Sequence, residues 1–283
     1  MLFSWCFKYL CCVFLLLQIR KTRKVKVINH GAKVAGLLRP PHNQVWFWDP
    51  VRASGLHDLI YTGYANVPHA LLLTLCERWH TETSSFHLSV GEMSITLDDV
   101  ACLMHIPIEG RMLDHRKKVS QVIGVDLMVA YLGVAKNVAV SNCKDQYGAY
   151  ISYKALKELY EDHLSVAMRL ADAQTVQEIQ ERDRRRDACV RSFLLYLVGC
   201  VLFGDKSNKR IELIYLQTMD DYDTMRDYSW GGMSLAYLYH CLSEVSLPKG
   251  KALGGSTTLL MVINCVTFFN LKTFFFLLLG NNL

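Results

Sequence analysis

The sequence predicts a mainly α, multi-helix globular domain that contains one small β-hairpin. The chain has 283 residues, of which 51% are hydrophobic and 20% charged, so it can bury a sizeable core. Several segments repeat apolar residues at helical spacing, whereas only the region around Gly91 alternates apolar and polar residues as strands do. The sequence has no internal repeat and no strand–helix alternation, which argues against Rossmann and TIM-barrel architectures.

Composition also limits the possible functions. The net charge is +5 and the pI is near 8.6, a basicity too weak to imply nucleic-acid binding without a clustered basic face. The ten cysteines include no Cys-x-x-Cys pair, so zinc-ribbon and thioredoxin-like sites lack their ligands. Scattered thiols suit a reducing compartment, where most serve as small core hydrophobes.

Residues 1–40 form an N-terminal extension with apolar and basic parts. Leu2–Leu17 is strongly apolar, and a basic cluster from Arg20 to Lys26 follows it. A signal peptide has its basic residues before the apolar segment, so this order argues against one. Three interpretations stay open: a membrane anchor with a cytoplasmic basic flank, a nuclear-import patch, and an accidental extension of the predicted gene.

The first half of the domain predicts one helix and the hairpin. Val45–Pro50 is a short aromatic segment that ends at a proline, and Pro68–Trp79 has the apolar spacing of a helix. Phe86–Leu88 and Met93–Thr96 are short alternating segments on either side of Gly91, which together predict the β-hairpin.

A further helix should begin after the hairpin. Thr96 can accept a hydrogen bond from the first free amides, and Asp99 favours the positive end of the helix dipole. Pro107 then ends this helix. Leu113–Ser141 predicts a loop and a helix with weak periodicity, and Ser152–Arg191 predicts continuous helix.

The remaining segments differ sharply in polarity. Gln177–Asp187 is charged on almost every face. Such a segment is either an arginine stripe that binds nucleic acid or a solvated helix with ion pairs. Acidic residues lie between the arginines, which favours the solvated helix. Phe193–Phe203 is apolar on every face but too short for a bilayer, so it predicts a buried helix. Helices are also expected over Ile211–Tyr222 and over Trp230–Val245, the latter capped by Ser229.

The densest group of polar residues comprises Glu77, Arg78, Glu82, His87 and Glu92. One hypothesis makes Glu82 and Glu92 an acid/base pair with His87 as a proton shuttle. The competing hypothesis gives all five residues structural roles as ion pairs, caps and hairpin hydrogen bonds. The sequence has no recognisable nucleophile, phosphate-loop, dinucleotide or metal motif, so we expect no catalytic, cofactor-binding or metal-binding residues.

Five segments in order resemble one known family. They are Leu75–Leu88 (LCERWHTETSSFHL), Gly91–Val100 (GEMSITLDDV), Ile106–Gly110, Leu195–Ser207 and Tyr228–Tyr239. The first two resemble the E-R-W-x-x-E-T-x-x-F-H-L and G-E-M-T-I-T-L-x-D-V signature of the plant mobile domain. Several long motifs in the right order are far more specific than a single short pattern.

The resemblance assigns residues 41–260 to a plant mobile domain that is incomplete at its C-terminus. Its motif residues, to which we assign structural roles, are Glu77, Arg78, Trp79, Glu82, Phe86, His87, Gly91, Glu92, Asp99 and Trp230. The family pattern stops near Leu260. If the domain is truncated there, Leu253, Leu259 and Leu260 should be poorly packed.

The resemblance implies a non-enzymatic nuclear interaction module of transposon-derived origin. Family members resemble factors in transposon silencing, gene-expression control and meristem maintenance. The implied partners are proteins, among them a serine/threonine phosphatase of the same plant group, and direct nucleic-acid binding stays open. The family is also labelled aminotransferase-like, but no lysine here has a recognisable Schiff-base setting, so no cofactor is expected.

Residues 261–283 form an apolar tail that we expect not to be a working part of the domain. Within Thr257–Leu279, the polar residues Asn264, Asn270 and Lys272 oppose insertion into a bilayer. An alternative function follows if this segment or Leu2–Leu17 does insert, because the protein would then be membrane-anchored rather than nuclear.

Overall fold

A computed structural model describes residues 25–27, 30–62, 69–88, 91–114, 118–145, 148–207 and 209–261. Its α-helices are α1 Gly31–Ala35, α2 Val45–Ala53, α3 Leu59–Thr62, α4 His69–Arg78, α5 Leu97–Met104, α6 Gln121–Leu132, α7 Lys136–Asn142, α8 Tyr153–Arg169, α9 Val176–Leu197 and α10 Trp230–Ser246. Its strands are β1 Lys26–Val27, β2 Trp79–His80, β3 Ser85–Leu88, β4 Gly91–Met93, β5 Lys144–Asp145, β6 Ala149–Ser152, β7 Arg210–Glu212 and β8 Ala252–Leu253. The predicted mainly α fold is confirmed.

Helix α9 runs from a charged start into the centre of the core. A π-helical segment, Val198–Leu202, continues it without a break, and α8 packs along its side. The predicted buried helix is confirmed, because Leu195, Leu197 and Leu202 are each 0% exposed. A segment that is apolar on every face can be stable in water only when other elements surround it.

The helical structure predicted over Ser152–Arg191 is confirmed for most of that range, but a break divides it into two helices. Helix α8 ends at Arg169, and α9 starts after Thr175. The hydroxyl of Thr175 accepts from the amide of Glu178, while the Glu178 carboxylate accepts from the amide of Thr175. This capping box satisfies amides that would otherwise lack partners, so it fixes a new helix start.

The predicted hairpin is part of a three-stranded antiparallel sheet in the order β2-β3-β4, with Phe86 opposite both Trp79 and Met93. The described residues contain two further sheets that the sequence did not predict. Strands β5, β6 and β7 form an antiparallel sheet, and β1 pairs in parallel with β8. These strands are two to four residues long, too short for their alternation to stand out in the sequence.

Three local predictions are wrong. Ile211–Tyr222 is not a helix, because it starts in β7 and continues as the 3-10 helix Leu213–Thr218. Val45–Pro50 belongs to α2, since burial of its aromatic side chains outweighs the proline. Ser229 does not cap α10, because its hydroxyl donates to the carbonyl of Ile108 at 2.5 Å.

The C-terminal part of the described chain is well packed. Leu253, Leu259 and Leu260 are each 0% exposed, so the expectation of poor packing there is wrong. All three side chains belong to the hydrophobic core, and β8 lies against α10. No helix within the described ranges is both long enough and apolar enough to span a membrane. Leu2–Leu17 and residues 262–283 lie outside those ranges.

Candidate functional site

The motif around Trp79 joins a helix to the first small sheet. Trp79 and Phe86 form its apolar side, with ring centroids 4.9 Å apart and both side chains buried. The indole nitrogen of Trp79 donates to the hydroxyl of Ser243 on α10 at 3.1 Å. Tyr239, one turn earlier on the same helix, donates to the carbonyl of Ile95. The motif therefore attaches the sheet to α10.

The polar side of this sheet contains two of the three residues in the acid/base hypothesis. Nε2 of His87 lies 2.9 Å from Oε1 of Glu92, and the Ser85 hydroxyl donates to the other oxygen of that carboxylate. The His80 ring stacks on the His87 ring with centroids 3.6 Å apart. Glu82 lies in the exposed turn before β3 and makes no hydrogen bond or ion pair with either residue in the described structure.

This arrangement does not resemble an enclosed catalytic centre. The side chains of His87 and Glu92 are 38% and 54% exposed, although Nε2 of His87 is itself buried and its contact with Glu92 lacks hydrogen-bond geometry. Neither residue lines the open groove beside helix α10. The hydroxyl beside the pair belongs to Ser85, a buried residue, and it donates to the carboxylate of Glu92. This arrangement gives no sign of a nucleophile presented to a substrate.

Among the other motif residues, Asp99 and Trp230 make local hydrogen bonds and Gly91 has a special backbone conformation. Asp99 completes a capping box with Thr96, as the sequence predicted. Gly91 has a φ of +122° at the start of β4, a conformation that favours glycine. Trp230 is fully buried and donates to the carbonyl of Met225 at 2.8 Å. Arg78 is half-buried at the end of α4, and Glu77 beside it is exposed.

A concave site that the sequence did not predict lies beside α10. It is an open groove of about 380 Å³, lined by Met112, Leu113, Asp114, Glu212, Met233, Ala236, Tyr237 and His240. The α10 members are spaced as i, i+3, i+4 and i+7, so they share one face of the helix. Its walls come from three segments that are separated in sequence. The sequence pattern of α10 does not indicate that the half-exposed face of this helix borders a groove.

The electrostatics of the groove centre on Glu212. Its side chain is exposed, yet desolvation is the main cause that raises the pKa of its carboxyl group. A group can be both accessible and desolvated when it borders a concavity, because surrounding protein replaces much of its hydration shell. The Tyr237 hydroxyl, whose pKa burial raises well above its usual value, is hydrogen-bonded to the thiol of Cys241.

The described residues contain no group of three or more potential metal ligands. Lys33 is the residue to consider for a Schiff base, since desolvation lowers the pKa of its ammonium group. Its Nζ lies 3.4 Å from Nδ1 of His30 and 4.8 Å from the ring centroid of Tyr153. Lys33 lines neither the groove nor a phosphate-binding loop, so its setting gives no support for pyridoxal-phosphate chemistry.

Charged side chains on α9 form the pairs expected of a solvated helix. Arg185 donates to Glu181 one turn earlier at 2.6 Å and to Asp162 on α8 at 2.8 Å. Arg184 lies 3.9 Å from the same glutamate. These contacts confirm the ion-pair interpretation of this part of Gln177–Asp187. Direct nucleic-acid contact stays a hypothesis.

Comparison with known proteins identifies relatives over most of the chain. The chain is 28% identical over 213 residues to "Protein MAIN-LIKE 2" of Arabidopsis thaliana, covering 73% of this chain and 27% of that protein. It is 27% identical to "Protein MAINTENANCE OF MERISTEMS" of the same plant, covering 78% of this chain and 41% of the relative. A "Serine/threonine-protein phosphatase 7 long form homolog" is 29% identical, with 74% and 14% covered.

The chain thus spans less than half the length of each of these relatives. No solved structure matches it. A sequence profile described as "Plant mobile domain" matches residues 55–277, a range that continues past the boundary expected at Leu260. The motifs around Trp79 and Trp230 lie within this range, as do the residues that line the groove. The chain belongs to the plant mobile domain family.

Proposed function

We propose that this chain is a non-enzymatic nuclear interaction module whose binding site for partner proteins is the groove beside α10. The groove carries this proposal, because it combines an apolar floor with a few polar groups, as ligand-binding sites do. Two of its eight described lining residues, Met112 and Met233, are methionines. Their flexible, polarisable side chains suit contacts with protein segments of varied shape.

The competing enzyme hypothesis has less support. Its acid/base residues lie on a small, exposed sheet, and Glu82 is apart from the His87–Glu92 pair. Within the groove, Glu212 and His240 are titratable, but His240 lies 3.4 Å from Glu244. Among the described lining residues, the hydroxyl group is that of Tyr237, which is hydrogen-bonded to the thiol of Cys241 rather than arranged as an activated nucleophile. Binding accounts for this geometry without further assumptions.

The role and location of the module are also proposals. The names of its relatives connect the family with meristem maintenance and with a serine/threonine phosphatase. We propose that the chain acts in the nucleus, in gene silencing and gene-expression control, as a domain of transposon-derived origin. The phosphatase relative contains the same domain, which makes a phosphatase of this group the first partner to test.

A matched pair of substitutions tests the binding site. Ala236→Arg places a long charged side chain in the groove, whereas Ala130→Arg makes the same change on an exposed face of α6. Each variant would be mixed with the purified phosphatase relative, and complexes measured by light scattering after gel filtration. Tagged copies in plant cells would report the location and the co-purified partners.

We expect Ala236→Arg to lose partners that the wild type and Ala130→Arg retain, with all three chains nuclear. An unchanged partner set in Ala236→Arg would remove the groove from the proposal. Exclusion of the wild type from nuclei would contradict the proposed location. Turnover of a substrate that depends on His87 or Glu92 would favour the enzyme hypothesis instead.

A further inference from the structure

We infer that the groove beside α10 binds a lysine or arginine side chain presented by a segment of a partner protein. This inference rests on the proposed function and names the chemistry of the ligand. Two parts of the groove carry it: an apolar wall long enough for an aliphatic stem, and a carboxylate at its edge that has no partner of its own.

The apolar wall comes from two methionines and one face of α10. Met233 is almost completely buried and forms the floor, while Met112 is 63% exposed and lies at the rim. The methyl group of Met112 packs close to α10 at Gly232. If Gly232 had a Cβ atom, that atom would lie 3.1 Å from the Met112 methyl carbon. Ala236 leaves space beside them. Lysine and arginine bury such stems along apolar surfaces while their charged ends reach polar groups.

The carboxylate of Glu212 provides the charge. Within the part of the chain that the structure describes, it makes no direct hydrogen bond or ion pair, although the charges of Arg210 and Lys118 act on it and lower its pKa against the larger effect of desolvation. The cation beside it in sequence, Arg210, is already engaged, because its Nε lies 3.2 Å from Asp205 and its guanidinium group stacks on Tyr150. Asp114 adds a second carboxylate to the lining.

Other ligand classes fit this site less well. An anionic or nucleic-acid ligand would face the carboxylates of Glu212 and Asp114, and the described residues that line the groove include no lysine or arginine. A purely apolar ligand would desolvate Glu212 further without adding a hydrogen-bond donor for its carboxylate. A basic side chain provides both an aliphatic stem for the apolar wall and a charged hydrogen-bond donor for the carboxylate.

The test uses the full chain labelled with 13C at its methionine methyl groups. The probes are three acetylated, amidated pentapeptides with alanines around a central lysine, norleucine or glutamate. Norleucine keeps the aliphatic stem of lysine and removes its charge. The methyl signals of Met112 and Met233 would be assigned from Met→Leu variants and followed during titration.

We expect the lysine peptide to shift both signals saturably and to bind at least five-fold more tightly than the norleucine peptide, with no binding of the glutamate peptide. Glu212→Gln should remove the difference between lysine and norleucine. Glu158→Gln, which alters an exposed acid on α8 that lines no part of the groove, should preserve that difference.

Two results would overturn the inference in distinguishable ways. If lysine and norleucine peptides shift the signals equally, the groove binds segments but does not select a cation, and the proposed function survives. If no peptide shifts either signal while Ala236→Arg still loses partners, partners use the groove without inserting a basic side chain. If that substitution also loses no partner, both the inference and the proposed site fail.

Discussion

Replacing Leu197 with alanine should destabilise the fold strongly, because this side chain is 0% exposed where α9 passes into the π-helical segment. The change deletes three carbon atoms, each worth about 0.8 kcal/mol of transfer free energy when buried. This gives about 2.4 kcal/mol before any cavity is counted. The surrounding core closes such a space only partly, which brings the expected loss to roughly 3–4 kcal/mol.

Urea unfolding followed by circular dichroism measures this loss. We expect the midpoint to fall while the slope of the transition stays the same, because the variant unfolds from the same compact state. Val122→Ala on α6 is the matched control, since Val122 is 72% exposed and its truncation should change stability by less than about 0.5 kcal/mol. A loss below about 1 kcal/mol for Leu197→Ala, or one equal to that of the control, would refute the placement of α9 at the centre of the core.

Three further predictions concern other parts of the fold. Thr96→Ala removes the hydroxyl of a capping box and should lower the free energy of unfolding by about 1 kcal/mol, measured by the same urea assay; no change would mean that the box contributes nothing. Gly199→Ala would place a Cβ atom 2.7 Å from two carbon atoms of Ile211, so we expect a loss of about 1–3 kcal/mol, whereas an unchanged midpoint would show that the contact relaxes freely. Burial, as the largest cause, lowers the pKa of His30 to about 4, so the unfolded chain, with the ordinary value of 6.5, binds a proton at higher pH than the folded chain does. The stability that comes from the buried, neutral His30 is therefore fully present above pH 6.5 and lost as the pH falls towards 4. His30→Gln should flatten the pH dependence of the urea midpoint between these pH values. An unchanged pH dependence would contradict the buried, neutral state of His30.

The sequence predicted those elements whose physics is local. The apolar segment Phe193–Phe203 is too short for a bilayer and too apolar for a surface, which leaves burial as the only stable solution. The capping box at Thr96 consists of two side chains three residues apart, so its geometry follows from the sequence alone. The polar pair of the small sheet was also within reach, since His87 and Glu92 flank Gly91.

Elements that depend on distant partners were not predicted. Ile211 has the apolar neighbours of a helix, but it pairs with Ile151 of β6, sixty positions away in the chain, and becomes part of a strand. Periodicity contains no information on that pairing. The groove is a stronger case, because Met112, Glu212 and Met233 lie in three segments and no motif of one segment indicates the other two.

Helix α10 connects the family motifs with the groove. One side of this helix receives the Trp79 hydrogen bond at Ser243, and Tyr239 reaches back to the carbonyl of Ile95. Another side presents Met233 and Tyr237 to the groove. The motif sheet therefore fixes the position of the helix that forms the groove wall. If the groove binds a partner, substitutions in the motif can alter that binding without any contact between the motif and the partner. This is because the motif fixes one side of α10, and another side of the same helix forms the groove wall.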